Sequence, residues 1–320
     1  MQRRDFVKGI AGSAICWPLA VRAQEPIIGY LSTLSEAQAT AQTAAFRRGL
    51  QEAGFPEVQI DFRWAEGRYE QLPAMAAELV RRPVTLILAQ APPAALSAKA
   101  ATATIPIVFV VGFDPVGVGL VAGLNRPGGN ATGVTLISPQ LGQKRVEILH
   151  ELAPKASVIG MLVNPLSPVT VPEIGSVQGA VLALGLQLTM FNASTPSEID
   201  AAFGVITSQR PDGLIVATDP FFVNRRDQIV ARTAILKIPT VYPFREYAVS
   251  GGLISYGTNL ANAYRQAGIY AGRILKGDKP GDLPVLQPTV FELVINLRTA
   301  RAQGIAVSAM LHARSDEVIE

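Results

Sequence analysis

Val84–Gln90 (VTLILAQ) and Pro106–Gly112 (PIVFVVG), with Ala91-Pro92-Pro93 opening the segment between them, decide the fold. Both runs are almost continuously apolar and rich in branched side chains. That pattern suits strands buried on both faces, as in a parallel sheet. The segment between them reads as a helix entered through prolines, which fit the first helical positions. Strand, helix and strand in that order make a βαβ unit.

The same alternation extends in both directions. Further strands are expected at Ile27–Ser32, Val58–Ala65, Val158–Asn164, Leu186–Ala193, Gly213–Asp219, Thr240–Phe244 and Phe291–Ile295. Between them, Ala44–Gly54 places Phe46, Leu50 and Ala53 on one helical face, and Leu72–Arg82 does so with Leu72, Met75, Ala76 and Leu79. Thr195-Pro196-Ser197-Glu198 is a capping box. A longer helix, Asn259–Lys276, stops at Gly277. This order predicts a doubly wound α/β architecture.

The alternation breaks once, at the turn cluster Asn125-Arg126-Pro127-Gly128-Gly129-Asn130. A short crossing strand, Thr132–Thr135, follows, and a fresh set of βα units begins after Gln140. Chains of this length usually divide into two domains. The expected organisation is two doubly wound parallel-sheet lobes joined by several hinge crossings. The first lobe takes residues 24–134 and about 256–285, and the second takes 135–255 and about 286–320.

Residues 1–23 read as an export leader. Arg3-Arg4-Asp5-Phe6-Val7-Lys8 is a twin-arginine run, Gly9 to Ala20 is small and apolar, and Val21-Arg22-Ala23 is a small-x-Ala processing site. An apolar stretch of about a dozen residues is short of the roughly 20 needed to span a bilayer, so export without a membrane-spanning anchor is expected. The arginine pair points to the Tat route, and the expected location is the periplasm. The leader also carries the charge imbalance. The whole chain has 28 Lys+Arg against 25 Asp+Glu, and without Arg3, Arg4, Lys8, Arg22 and Asp5 the balance is 24 against 24. A neutral mature chain without basic runs among its aromatics excludes nucleic acid as a partner.

The inventory for catalysis is thin. The one cysteine, Cys16, lies in the leader, and the two histidines, His150 and His312, are far apart in sequence. No metal-ligand spacing, nucleophile elbow or Walker loop occurs. Neither a cofactor nor an enzymatic activity is expected.

In open parallel sheets, ligands lie beyond the carboxyl ends of the strands. That rule selects Ser32, Thr33, Gln90, Asp114, Asn164, Asp219, Tyr242, Arg245 and Tyr256 as ligand-binding candidates. Each also has a structural role open to it. Ser32 and Thr33 can cap the following helix, or their amides can hold a carboxylate there. Asp114 and Asp219 each precede a proline and can cap, while Asp219 can also pair with a ligand ammonium. Arg245 can pair with Glu246, and Tyr242 and Tyr256 can be packing residues. The helix after Gln90 can turn its first N–H groups toward an anion.

Seven stretches together carry a family pattern. They are Ile28-Gly29-Tyr30-Leu31-Ser32, Phe62-Arg63-Trp64-Ala65-Glu66-Gly67, Asp114-Pro115-Val116-Gly117 and Arg126-Pro127-Gly128-Gly129-Asn130-Ala131-Thr132-Gly133. The others are Asp219-Pro220-Phe221-Phe222, Gly251-Gly252-Leu253-Ile254-Ser255-Tyr256-Gly257 and Phe291-Glu292-Leu293-Val294-Ile295-Asn296. The chain resembles the ABC-transporter substrate-binding family that includes tryptophan-binding-protein-like members, with the type I periplasmic binding fold. The resemblance implies a cleft that closes on a small organic solute (an amino acid or an aromatic or organic acid) and delivery to an inner-membrane ABC permease by a monomer. It implies pocket roles for Ser32, Gln90, Asp114, Asp219, Tyr242 and Tyr256. Gln90-Ala91-Pro92-Pro93 stands where a Gly or Thr is common, which implies an altered pocket on that side. A sensor presenting its solute to a signalling receptor, or an exported enzyme on the same fold, are the alternative readings.

Overall fold

The computed structural model describes residues 25–136, 140–167 and 170–320. The leader reading, Arg3 to Ala23, falls outside the described residues. The chain forms two α/β lobes. The first contains β1 (Ile27–Ser32), α1 (Thr40–Glu52), β2 (Gln59–Trp64), α2 (Leu72–Arg81), β3 (Leu86–Gln90), α3 (Pro92–Ala101), β4 (Ile107–Val111) and β5 (Ala131–Thr135). The second begins with α4 (Gln140–Leu152), β6 (Val158–Val163), α5 (Thr170–Ala183), β7 (Gln187–Asn192), α6 (Pro196–Gln209) and β8 (Gly213–Val216). It continues with α7 (Pro220–Asn224), α8 (Arg226–Leu236), β9 (Thr240–Tyr242), α9 (Arg245–Val249) and β10 (Ile254–Thr258). The chain then returns to the first lobe as α10 (Leu260–Leu275). It finishes in the second as β11 (Phe291–Asn296), α11 (Leu297–Gln303), α12 (Ala309–Ala313) and β12 (Glu317–Ile319).

The first sheet has the order β2-β1-β3-β4-β5 and the second β12-β11-β10-β9-β8-β6-β7. Every ladder is parallel except β10–β11. The two decisive runs, β3 and β4, are buried along their whole length between α2 and α3 on one face and α10 on the other. Two faces of helix on one sheet demand two apolar faces per strand, which is why alternation is absent from both runs. The Thr195 cap also forms: its side chain accepts from the Glu198 amide at 3.2 Å, and Glu198 Oε2 accepts from the Ser194 amide at 2.7 Å.

Helix α10 follows a strand of the second lobe yet packs on α1 of the first. Gly49 and Gly268 permit it. A Cβ on Gly49 would stand 2.0 Å from the Arg265 carbonyl oxygen, and one on Gly268 would stand 2.2 Å from that of Phe46. Only bare backbones can approach so closely. The Tyr270 hydroxyl then donates to the Pro284 carbonyl at 2.8 Å, holding the returning segment on the same lobe.

Strand β10 stays in the second sheet to Thr258, and Leu286 still bridges to Val134 of the first lobe. The closing strand β12 has no counterpart in the expected set. It is only three residues long, Glu317-Val318-Ile319 between Asp316 and Glu320, too short for its pattern to show, and pairs with β11. Among the described residues no helix is long and apolar enough to cross a membrane.

Candidate functional site

Each sheet has a switch point where successive helices leave on opposite faces. In the first lobe it lies between β1, which leads to α1 beside α10, and β3, which leads to α3 beside α2. In the second it lies between β6 and β8 in the same manner, since α5 packs with α4 and α8 with α6. The crevice outside such a point is where open α/β sheets hold ligands. Here the two crevices face each other, and the lobes touch across them. Gln38 Nε2 donates to the Asn224 carbonyl at 2.8 Å, and Asn224 Nδ2 donates to the Thr33 carbonyl at 3.2 Å.

Of the cavities between the lobes, two reach Asp219, one of about 50 Å³ and one of about 200 Å³. Pro92, Asp219 and Pro220 line both. The smaller is mostly apolar, walled by Leu34, Val110, Leu136, Val223, Phe244 and Leu260. Its polar groups are Gln42, Gln90, Thr218, Asp219 and Tyr264. A few oriented polar groups in an apolar wall are the usual make-up of a small-molecule site. The larger cavity adds Tyr69, Glu70, Asn164, Ser167 and Ser194.

Asp219 is at the centre. The ladder of β8 stops at Val216, so Thr218 and Asp219 project beyond the sheet. Its Oδ1 accepts from the Phe221 amide at 2.8 Å and from Asn164 Nδ2 at 3.2 Å. Capping and cleft-facing roles therefore coexist in one carboxylate. Burial holds its carboxyl above the ordinary aspartate range, against hydrogen bonds from Ser167 and Asn164 that lower it. No cationic side chain pairs with it among the described residues. Asn164, nearly buried, is fixed in turn by Ser194, whose hydroxyl donates to its Oδ1 at 2.8 Å.

On the first lobe, Ser32, Thr33 and Gln90 form one cluster. Gln90 Oε1 accepts from Ser32 Oγ at 2.6 Å, from the Thr33 amide at 3.2 Å and from Thr33 Oγ1 at 3.4 Å. Gln90 also stands beside the Tyr264 hydroxyl. The first turn of α3 differs from the anion-facing helix start that the sequence suggests. Pro92 and Pro93 lack N–H groups and the Ala95 amide bonds to the Ala91 carbonyl, so Ala94 alone of the first four residues has an uncommitted N–H. Ala91 itself sits at φ 73°, ψ 161°, a region that is essentially glycine's. Ala91→Gly should therefore stabilise the protein by about 1 kcal/mol, the relieved strain exceeding glycine's entropy cost. Chemical denaturation would show a higher midpoint at unchanged slope.

The remaining candidates line neither cavity. Asp114 is exposed, and its Oδ1 accepts from the Val116 amide at 3.0 Å, capping a surface turn. Tyr242 is fully buried, stacks on Tyr247 at 5.0 Å and bonds Thr233 at 2.6 Å under α8. Arg245 forms a two-pronged pair with Glu317 at 2.6 Å, not with Glu246, because β12 brings Glu317 beside it. Tyr256 packs toward Phe291 and gives its carbonyl to Arg145. All four are near strand ends, but β4, β9 and β10 lie away from the switch points.

The strand-end rule missed Gln42 and Tyr264, which reach the cleft from helices. Gln42 shares the buried face of α1 with Ala45, Phe46 and Gly49. A polar residue on that apolar stripe was the available signal. It also missed Arg145, fully buried on α4. Its guanidinium donates to the Tyr256 carbonyl at 2.9 Å, to Glu173 at 2.5 Å and to Thr218 Oγ1 at 3.1 Å. Glu173 accepts from the Thr218 amide at 2.8 Å. The pair thus fixes the cleft residue Thr218 from behind. No group of three or more His, Cys, Asp or Glu able to hold a metal occurs among the described residues.

Known proteins share this architecture and sequence. The tyrosine-binding protein of Clostridioides difficile (strain R20291) is 29% identical over 279 residues, 85% of this chain and 80% of that protein. The ABC domain in complex with L-Trp from Streptococcus pneumonia is 28% identical with a TM-score of 0.83, over 91% of this chain and 100% of that one. A conserved domain protein from Vibrio cholerae O1 biovar eltor gives 25% identity and a TM-score of 0.85, over 92% and 100%. The ABC transporter substrate binding protein family matches residues 28–319, spanning both lobes and every crossing between them. Its members are extracytoplasmic binding proteins, not enzymes. The chain belongs to the ABC transporter substrate-binding proteins, as a solute-capturing component that serves a membrane permease.

Proposed function

We propose that the chain works in the periplasm as a monomer, exported through its twin-arginine leader. Its solute is a small organic molecule with a protonated amine and an apolar body, a chemistry shared with the tyrosine and L-Trp named for its relatives. Ser32, Thr33, Gln90, Asn164 and Asp219 are the site residues of this reading, joined by Gln42, Thr218 and Tyr264. The observation that carries it is Asp219. A carboxylate 3% exposed, without a cationic partner among the described residues, faces the cavity between the lobes. Burying such a group costs free energy that an ammonium offsets. Because the solute touches both lobes only in the closed state, binding favours closure.

Thermal unfolding against a library of amines, amino acids and organic acids tests the proposal. Solute at about 100 times its dissociation constant should add roughly 2.7 kcal/mol, raising the midpoint by several degrees. A rise with organic acids and none with amines would refute the reading.

The pH dependence follows from the raised Asp219 pKa. In the free protein the sign is that of any acid raised by folding. Its contribution to stability is present in acid and is lost as pH rises through the folded pKa. Solute binding has the opposite sign, because the ammonium pairs with the ionised form. Calorimetric affinity should level off above that pKa and fall about tenfold per pH unit below it.

A further inference from the structure

We infer that the cleft selects a small protonated amine over the corresponding α-amino acid, and that Gln90 is the residue that sets this preference. The inference rests on the reading of Asp219 as the solute's counter-ion. An α-amino acid whose ammonium meets Asp219 brings a carboxylate into the same enclosed space. That carboxylate needs a cation or free N–H and O–H donors, since burying it unpaired costs far more than the rest of the contacts return.

The first lobe has a converging donor set, namely Ser32 Oγ, the Thr33 amide and Thr33 Oγ1. All three point at one atom, the Oε1 of Gln90. A carbonyl oxygen of the protein thus stands where a solute's anionic oxygen would be received. The neighbouring helix start offers an anion only the Ala94 N–H, since Pro92 and Pro93 bring none and the Ala95 amide is taken by the Ala91 carbonyl. On the second lobe, the Phe221 and Phe222 amides at the start of α7 are taken by Asp219 itself.

The remaining chemistry favours a cation. Across the two cavities that Asp219 lines, the charged side chains among the described residues are Asp219 and Glu70; the adjoining cavity of about 480 Å³ between the lobes has Arg68 and Arg225, both exposed and Arg68 paired with Glu66. Gln42 lines the smaller cavity, is 3% exposed, and its Oε1 has no hydrogen-bond partner. A buried acceptor without a donor is rare and calls for one. An ammonium supplies three N–H groups, enough for Asp219 and Gln42 together.

The test titrates matched pairs into the wild-type protein: tryptamine with L-tryptophan, tyramine with L-tyrosine, and isoamylamine with L-leucine. For at least one pair the amine should bind ten times or more tighter than its amino acid. In Gln90→Gly the freed donors should narrow that ratio at least tenfold, and in Gln90→Ala they should do the same if the glycine variant folds poorly. Wild-type protein that binds an amino acid as tightly as its amine, with that binding lost in D219N, would overturn the inference and leave the Asp219 reading intact. Failure of both members of every pair to bind would overturn both.

Discussion

Asp219→Asn should weaken solute binding about 30- to 1,000-fold while the protein stays folded. The substitution keeps the shape of the side chain and an oxygen to accept from the Phe221 amide, so the cap of α7 survives. It removes the charge and turns one of the two acceptor oxygens into an N–H donor. Truncating one member of a buried, hydrogen-bonded charge pair typically costs about 2–4 kcal/mol of affinity, and each 1.4 kcal/mol is about tenfold in Kd. Because burial already disfavours the carboxylate in the empty cleft, the neutral variant should unfold at the same temperature as the wild type or slightly higher. Affinity and stability therefore move independently, which separates a binding role from a structural one. Calorimetric titration and a melting curve on the same preparation read both. Unchanged affinity in the variant would remove Asp219 from the site.

Arg145→Met should have the largest effect on stability, about 3–5 kcal/mol, or roughly 10 °C in the melting midpoint. Arg145 and Glu173 are both nearly buried, with side chains 2% and 9% exposed. Burial lowers the arginine's pKa, and Glu173 works against that shift. Removing the cation leaves a buried carboxylate facing the amide and hydroxyl of Thr218. The double variant R145M/E173Q should recover part of the loss, because no uncompensated charge remains; a cycle of the four proteins measures that coupling. Since Thr218 adjoins Asp219, solute affinity should fall as well. A midpoint shift under 2 °C in R145M would mean that the network is not the anchor its geometry indicates.

Much of the fold could be read from the chain. The runs at Leu86–Gln90 and Ile107–Val111 are apolar except for Gln90 because α2, α3 and α10 cover both faces, and their composition reports that burial. β12 could not be read, because Glu317 and its neighbours pair through backbone groups whatever their side chains. The site was legible where the strand-end rule coincides with a switch point. Ser32, Thr33, Gln90, Asn164 and Asp219 all lie beside β1, β3, β6 or β8. Tyr242, Arg245 and Tyr256 obey the same rule at β9 and β10, but strand order, which the local sequence does not encode, moves them off the crevice. Gln42 and Tyr264 reach the cleft through helix packing made possible by Gly49 and Gly268, a tertiary event whose one local sign is the polar Gln42 on the apolar stripe of α1.

The most direct measurement is a crystal structure of the protein with the tightest-binding amine from the matched pairs. The expected arrangement is the solute between the closed lobes, its ammonium nitrogen within hydrogen-bonding distance of Asp219 and near Gln42, with Gln90 still joined to Ser32 and Thr33. A solute bound elsewhere, or seated with Asp219 facing an apolar group, would contradict it.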